Sequence, residues 1–413
     1  MTNLLISNIG TMLSLSPAMK KRGRKIIEAD LGIEKNQALY IENGKISWIG
    51  PQKKIPVVLA KQKKVKEISV SGQSVIPGFI ECHTHSVFSG HRAAEFEMRN
   101  QGASYQEIAK RGGGILSTMN HTRESSPKKL LEISQQRVNR FVAQGVTVLE
   151  IKSGYGLDLK NEIKILKTAK AMSGPEIVTT FLGAHAKPPE FDSYREYLHY
   201  LSDSVLPSIK KQKLADRVDI FVEKGFFDVA DARTYLQKAQ SLGFQITIHA
   251  DQLTLSGGAD LAVELGALSG DHLLEIQDSE IAKLASSEVT CVLLPASDLY
   301  MKCPYPNARR LIDAGARVAL ATDFNPGSCP TQDLNLVGLL ARLEMKMSLP
   351  EVISAYTVGS AFALNLQSRV GSIELGKDAN FICTSKDWSE LFYSVGEAVP
   401  SSVYRNGRQI FAR

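Results

Sequence analysis

The sequence predicts an α/β fold, a (β/α)8 TIM barrel with a small β-sandwich domain formed by both chain termini. Two observations carry this expectation. Between about Pro77 and Gln367, eight apolar, β-branched segments alternate with helical patterns, as buried parallel strands joined by helices do. Each end of the chain also carries a hairpin signal, Asn43-Gly44 in ALYIENGKISWIG and Asn406-Gly407 in SSVYRNGRQIFAR. Neither terminal segment alternates enough to close a domain alone, so the two are expected to pair. The expected boundaries are 1–76 with 368–413 for the β-domain and 77–367 for the barrel.

The predicted barrel strands are, in order, VIPGFIECHTH, GVTVLEIKSG, EIVTTFLGAHA, RVDIFVEKG, FQITIHAD, ALSGDHL, VTCVLLPA and RVALATDFN. Helical patterns lie between most of them. SPKKLLEISQQRVNRFVAQ runs up to Gly145 and DARTYLQKAQSLG up to Phe244, each ending near the glycine that favours a helix C-terminus. An open doubly wound sheet would alternate in the same way. Against it, no GxGxxG follows the first strand, and the triplet Gly112–Gly114 lacks a Walker lysine and reads as a turn.

With 413 residues, 43% hydrophobic and 22% charged, the chain is ordinary globular material, long enough for a barrel and a smaller domain. Its net charge of +6 is dispersed and asks for no nucleic acid. The one dense basic cluster, Lys20, Lys21, Arg22, Arg24 and Lys25, reads as a solvated loop. Five cysteines, an odd number without CxxC spacing, argue for reduced thiols in a cytoplasmic protein. No basic region precedes the first apolar residues and no apolar run approaches membrane length, so neither a secretory signal nor a membrane partner is expected.

A barrel collects its functional groups at the C-terminal ends of its strands. Five of the eight histidines fall there: His83 and His85 on the first strand, His185 on the third, His249 on the fifth and His272 on the sixth. Asp323 ends the eighth. His83 and His85 are two residues apart, so on an extended strand their imidazoles turn to the same side and can share one ion. Imidazoles with one carboxylate suit a divalent transition ion better than magnesium or calcium. His83, His85, His249 and Asp323 are therefore the expected metal ligands. An ion held this way lowers the pKa of bound water towards neutrality. His272 is the expected general base and Asp323 the proton shuttle. Glu223, at the fourth strand end, either orients a ligand or pairs with a barrel lysine. His91, His121 and His199 fall outside the scheme and read as surface or packing residues.

These motifs resemble the amidohydrolase superfamily, metal-dependent hydrolases built on a barrel with a flanking β-sandwich. The similarity covers nearly the whole length and is narrowest in HRAAEFEMRNQGASYQEIA, GGGI, STMNHTR, EIKSGYGLDL, TFLGAHAKPPEF, IHADQL with GDHL, and ALATDFNPGS. The resemblance implies hydrolysis of a cyclic amide C–N bond in a small molecule, 4-imidazolone-5-propanoate, with one zinc or iron ion per chain and a homodimeric assembly. It implies the same four metal ligands, and substrate contacts from Arg92, Tyr155, His185, Asn325, Gly327 and Ser328. Arg92 can grip a carboxylate arm with a charge-assisted fork, or pair with Glu95 or Glu97. His185 is expected to hydrogen-bond the ring and to stabilise the oxyanion. Where other members carry a glutamate after the fifth-strand HAD, this chain has Gln252, which can hydrogen-bond substrate but cannot act as a base.

Three other readings share parts of the pattern. A related deaminase acting on an aromatic base would use the same metal centre. A two-metal hydrolase would need a carboxylated lysine, for which Lys224 is the nearest residue. A noncatalytic barrel would not require the complete ligand set.

Overall fold

The computed structural model describes residues 3–56, 59, 65–103, 113–396 and 400–413. Residues 104–109 of the HRAAEFEMRNQGASYQEIA motif and Gly112 of the glycine triplet lie outside these. The chain opens with strands β1 (Asn3–Leu13), β2 (Ile33–Glu42), β3 (Lys45–Pro51), β4 (Val65–Ser69) and β5 (Ser74–Pro77). The barrel strands follow: β6 (Phe79–Glu81), β7 (Val146–Lys152), β8 (Glu176–Ala184), β9 (Arg217–Val222), β10 (Gln245–Ala250), β11 (Ser269–His272), β12 (Thr290–Leu293) and β13 (Arg317–Leu320). Strands β14 (Phe381–Thr384), β15 (Ser402–Arg405) and β16 (Arg408–Ala412) complete the chain.

The two ends do pair. The terminal sheet runs β16-β15-β14-β5-β1-β2-β3, with β4 also on β1, and the N- and C-terminal parts meet where Ile76 faces Ile382 across the antiparallel β5–β14 ladder. It closes over its own core of Leu4, Ile6, Met12, Leu39, Phe381 and Tyr404. Both Asn-Gly turns have positive φ at each residue (52° and 79° at 43–44, 48° and 68° at 406–407), the geometry that matches strand twist in a two-residue hairpin.

In the barrel, β6 to β13 lie side by side in sequence order, and every pair is parallel. Closure occurs just beyond the first and last strands. Thr84 bridges Phe324 in parallel, His85 N donates to Phe324 O (2.9 Å) and Asp323 N donates to His83 O (3.1 Å). The intervening helices start and stop where side chains dictate. Ser126 caps Pro127–Val142 through Lys129 N, and Asp228 caps Val229–Ser241 through Asp231 N. Gly145 and Gly243 take the left-handed conformation that follows these helices.

Lys20, Lys21, Arg22 and Lys25 of the basic cluster face solvent as expected, while Arg24 is half-buried and anchors the segment. Arg24 donates to the carbonyls of Ala285 (2.9 Å), Gly315 (2.6 Å) and Ser287 (2.5 Å), Arg22 pairs with Glu288 (2.6 Å) and Lys21 with Asp30 (2.7 Å). One guanidinium, with its several donors, serves all three carbonyls at the entry to β12 and β13. The cluster thus ties the N-terminal segment to the barrel face opposite the histidines. Among the described residues, no helix is long and apolar enough to cross a membrane. All five cysteines are free thiols, as expected.

Candidate active site

The strand-end groups converge. Ligand atoms of His83, His85 and His249 all lie within 4.8 Å of one another, and all three side chains are buried. Asp323 joins them, with Oδ1 3.4 Å from Nε2 of both His83 and His85. His83, His85 and Asp323 sit on the closure seam, so the hydrogen bonds that shut the barrel also set three of these groups. His249 comes from β10, next to β11, whose last residue is His272. Asp323 and His272 occupy left-handed backbone (φ 55° and 79°), unusual for residues other than glycine and a feature of positions where function overrides local preference.

Buried carboxylates orient the imidazoles from behind. His83 Nδ1 lies 2.6 Å from Asp271 Oδ2, and His249 Nδ1 lies 3.1 Å from Asp219. Each carboxylate fixes its ring as the Nδ1–H tautomer and leaves Nε2 facing inward. Nε2 of His249 is buried without a hydrogen-bond partner, and Nε2 of His83 meets the Asp323 carboxylate at 3.4 Å. An orphaned buried nitrogen is costly, and imidazoles aimed at one region beside a carboxylate fit a bound cation.

The electrostatics agree. Burial and Lys152 press the His83 imidazole down, yet its bonds to Asp271 and Asp323 lift it to about 9. Burial drops His85 to about 4 and His272 to about 3, and holds His185, which also faces His85 and His249, well below its usual range. Burial alone would raise Asp323, but its bonds to His83 and His85 keep it well below the ordinary carboxylate range. Burial thus leaves His85, His185 and His272 neutral, ready to offer lone pairs.

Every other residue expected at the site meets these groups in one cavity of about 450 Å3. Arg92, Tyr155, His185 and Gln252 line it, as do Asn325, Gly327 and Ser328. Of the four ligand candidates, His85, His249 and Asp323 reach its wall, while His83 lies behind it. Arg92 bonds Glu95 through Nε at 2.7 Å, one of its two expected roles, and its side chain lines the cavity. His91, His121 and His199 are exposed and take no part.

Three expectations change in detail. His185 Nδ1 lies 3.0 Å from the carbonyl of Gly154, which can only accept, so Nδ1 carries the proton. The neutral ring then presents Nε2 as an acceptor, suited to a substrate N–H and unsuited to stabilising an oxyanion. Asn325 spends its polar atoms within its own loop, donating to Asp323 O (2.7 Å) and Ser328 Oγ (2.8 Å) and accepting from Gly327 N and Ser328 N (both 2.8 Å). It shapes the loop. Among the described residues, Glu223 pairs with no metal-ligand candidate and no lysine ammonium; its carboxylate accepts from Lys224 N (2.9 Å), Leu253 N (2.8 Å) and the Thr254 hydroxyl, holding the turn that carries Gln252. Lys224 lines the cavity from an exposed position.

Sequence reasoning missed Glu150, Lys152, Asp219 and Asp271, charged residues fully buried inside the barrel. It also missed Arg99, which lines the cavity and donates to Gly327 O at 2.9 Å. The signal for the first four was present: charges within strands otherwise apolar, where a buried charge requires a partner.

A closed parallel barrel with three imidazoles and a carboxylate at its rim defines the class as a metal-dependent hydrolase of the amidohydrolase type. The amidohydrolase family profile matches residues 221–410. Solved structures share the fold: a guanine deaminase of E. coli (TM-score 0.75, 14% identity, all of both chains) and an adenosine deaminase of Xanthomonas campestris with bound zinc (0.72, 17%, 98% of this chain and 92% of that one). Among curated sequences, the imidazolonepropionase of Bdellovibrio bacteriovorus is 61% identical over 99% of this chain and 96% of its own, and that of Symbiobacterium thermophilum 39% over 99% and 97%. The chain belongs to the imidazolonepropionase family.

Proposed function

We propose that this enzyme hydrolyses the ring C–N bond of 4-imidazolone-5-propanoate, giving N-formimidoyl-L-glutamate in histidine degradation. The observation that carries the reading is that Arg92, a cation suited to a carboxylate arm, lines the same cavity as His85, His249 and Asp323. Family membership supplies the substrate class.

His83, His85, His249 and Asp323 would hold one divalent ion, zinc or iron. Such an ion polarises a carbonyl and lowers the pKa of nearby water. Arg92 grips the propionate with its terminal nitrogens, since Nε is engaged by Glu95. Tyr155 and the Nε2 lone pair of His185 orient the ring, and Gln252 offers a further hydrogen bond. His272, neutral and buried, takes one proton of the attacking water, and the ionised Asp323 takes the other and relays it to the departing ring nitrogen. A new C–O bond forms as the C–N bond breaks, and the product leaves with a second carboxylate. The catalytic unit is the barrel over 77–367, flanked by the terminal domain of 1–76 and 368–413, in a cytoplasmic homodimer.

The test is direct. Purified, metal-loaded protein given imidazolone propionate should yield formimidoylglutamate without releasing ammonia. Full metal occupancy without turnover overturns the assignment, and ammonia release without ring opening replaces it with deamination.

A further inference from the structure

Strand β7 carries two charges, Glu150 and Lys152, two residues apart and thus on one side of the strand. Both are about 1% exposed. Lys152 Nζ lies 2.8 Å from Asp219 Oδ2, 3.2 Å from Glu150 Oε1 and 3.6 Å from Asp271 Oδ2. Asp219 is on β9 and Asp271 on β11, so one ammonium reaches across the barrel interior to the two carboxylates that orient His249 and His83. The same strand holds the other ligand segment by its backbone. Thr84, between His83 and His85, donates its N–H to Glu150 Oε2 (3.1 Å) and its hydroxyl to Glu150 O (2.7 Å), and its carbonyl accepts from Lys152 N (2.8 Å).

We infer that Lys152 is a positioning residue for the metal centre: its ammonium sets Asp219 and Asp271 so that the ligand nitrogens of His249 and His83 converge. The inference rests on the metal-centre reading above. Burying three carboxylates around one ammonium is expensive, and removing one partner from such a group leaves uncompensated charge. A purely structural role would need no contact with carboxylates that themselves hold ligands. Here two of the three carboxylates do so, and the third holds Thr84, the residue between His83 and His85. With Lys152 gone, Asp219 and Asp271 repel each other and rotate, and the imidazoles they hold lose their fixed orientation.

The experiment measures metal affinity, which needs no substrate and so separates this inference from the assignment of the reaction. Full-length wild type and Lys152→Met are titrated with Zn2+ against a chelator. They are also loaded with Co2+, whose visible bands report ligand geometry. Lys152→Met is expected to bind Zn2+ about 10–100-fold more weakly, the scale for loss of groups that orient metal ligands, with altered Co2+ bands. In the loaded enzyme, kcat should fall while KM stays near wild type. The double variant Lys152→Met with Glu150→Gln removes one buried negative charge along with the ammonium and covers failure of the single variant to fold. Wild-type Zn2+ affinity and Co2+ bands in either folded variant overturn the inference.

Discussion

Arg92 lies against the bare α-carbon of Gly327: a β-carbon there would stand 1.9 Å from Nη1 and 2.4 Å from Cζ of the guanidinium. Arg92 is a flexible side chain, so an added methyl group displaces it and leaves the backbone in place. Gly327→Ala is therefore expected to raise KM about tenfold or more, the scale of a charge-assisted hydrogen bond, with metal content and thermal midpoint close to wild type. Steady-state kinetics and metal analysis on one preparation check this.

Removal of the metal should destabilise the chain as well as silence it. An ion that binds the folded state at 100 times its dissociation constant adds about 2.7 kcal/mol. Chelated protein is expected to melt several degrees lower and to recover on addition of Zn2+ or Fe2+. His249→Ala, lacking one of three clustered imidazoles, should melt at the same temperature with or without added metal. Calorimetry of the four samples reads both outcomes.

Glu162 controls the turn that carries Tyr155. Its buried carboxylate accepts from the N–H groups of Gly154 (3.1 Å), Gly156 (2.8 Å) and Leu157 (2.8 Å). Glu162→Ala leaves these donors unsatisfied and is expected to cost about 3 kcal/mol or more. Burial lifts the Glu162 carboxyl above its usual 4.5 despite these bonds. Folding thus favours the protonated form, so its contribution is complete below 4.5 and is lost as pH rises through the folded value. Glu162→Gln keeps an acceptor and does not titrate. Urea denaturation across that window should find wild type losing stability relative to Glu162→Gln as pH rises.

Thiol chemistry should single out one cysteine. Cys82, Cys291, Cys329 and Cys383 are buried and only Cys303 is partly exposed. Burial pushes Cys291 up to about 12 and Cys383 to about 11, leaving little thiolate at neutral pH. Ellman's reagent is expected to titrate at most one thiol in native protein, none in Cys303→Ser, and five in unfolded wild type.

The strands and their terminal histidines were legible because a buried parallel strand has a local signature and a polar residue at its end stands out. The Asn-Gly turns were legible for a similar reason: the backbone geometry they require is encoded in two adjacent residues. Lys152, Asp219 and Asp271 could be read as charges within apolar strands, but their pairing could not, since such a charge gives no hint of partners two or four strands away until the barrel closes. The same holds for Arg24, whose carbonyl partners lie more than 250 positions along the chain. The role of Asn325 could not be read either, because a loop asparagine turned inward and one offered to substrate share the same letter.

The barrel's seam has a consequence for how the protein is made ready to act. The first and last strands meet through Thr84 and Phe324, flanked by His85 and Asp323. A cation gripped by those two neighbours bridges the joint like a rivet. Backbone hydrogen bonds already close the cylinder there, so an ion held by His85 and Asp323 would brace an existing joint, and its loss would loosen the barrel at the place where chemistry must occur.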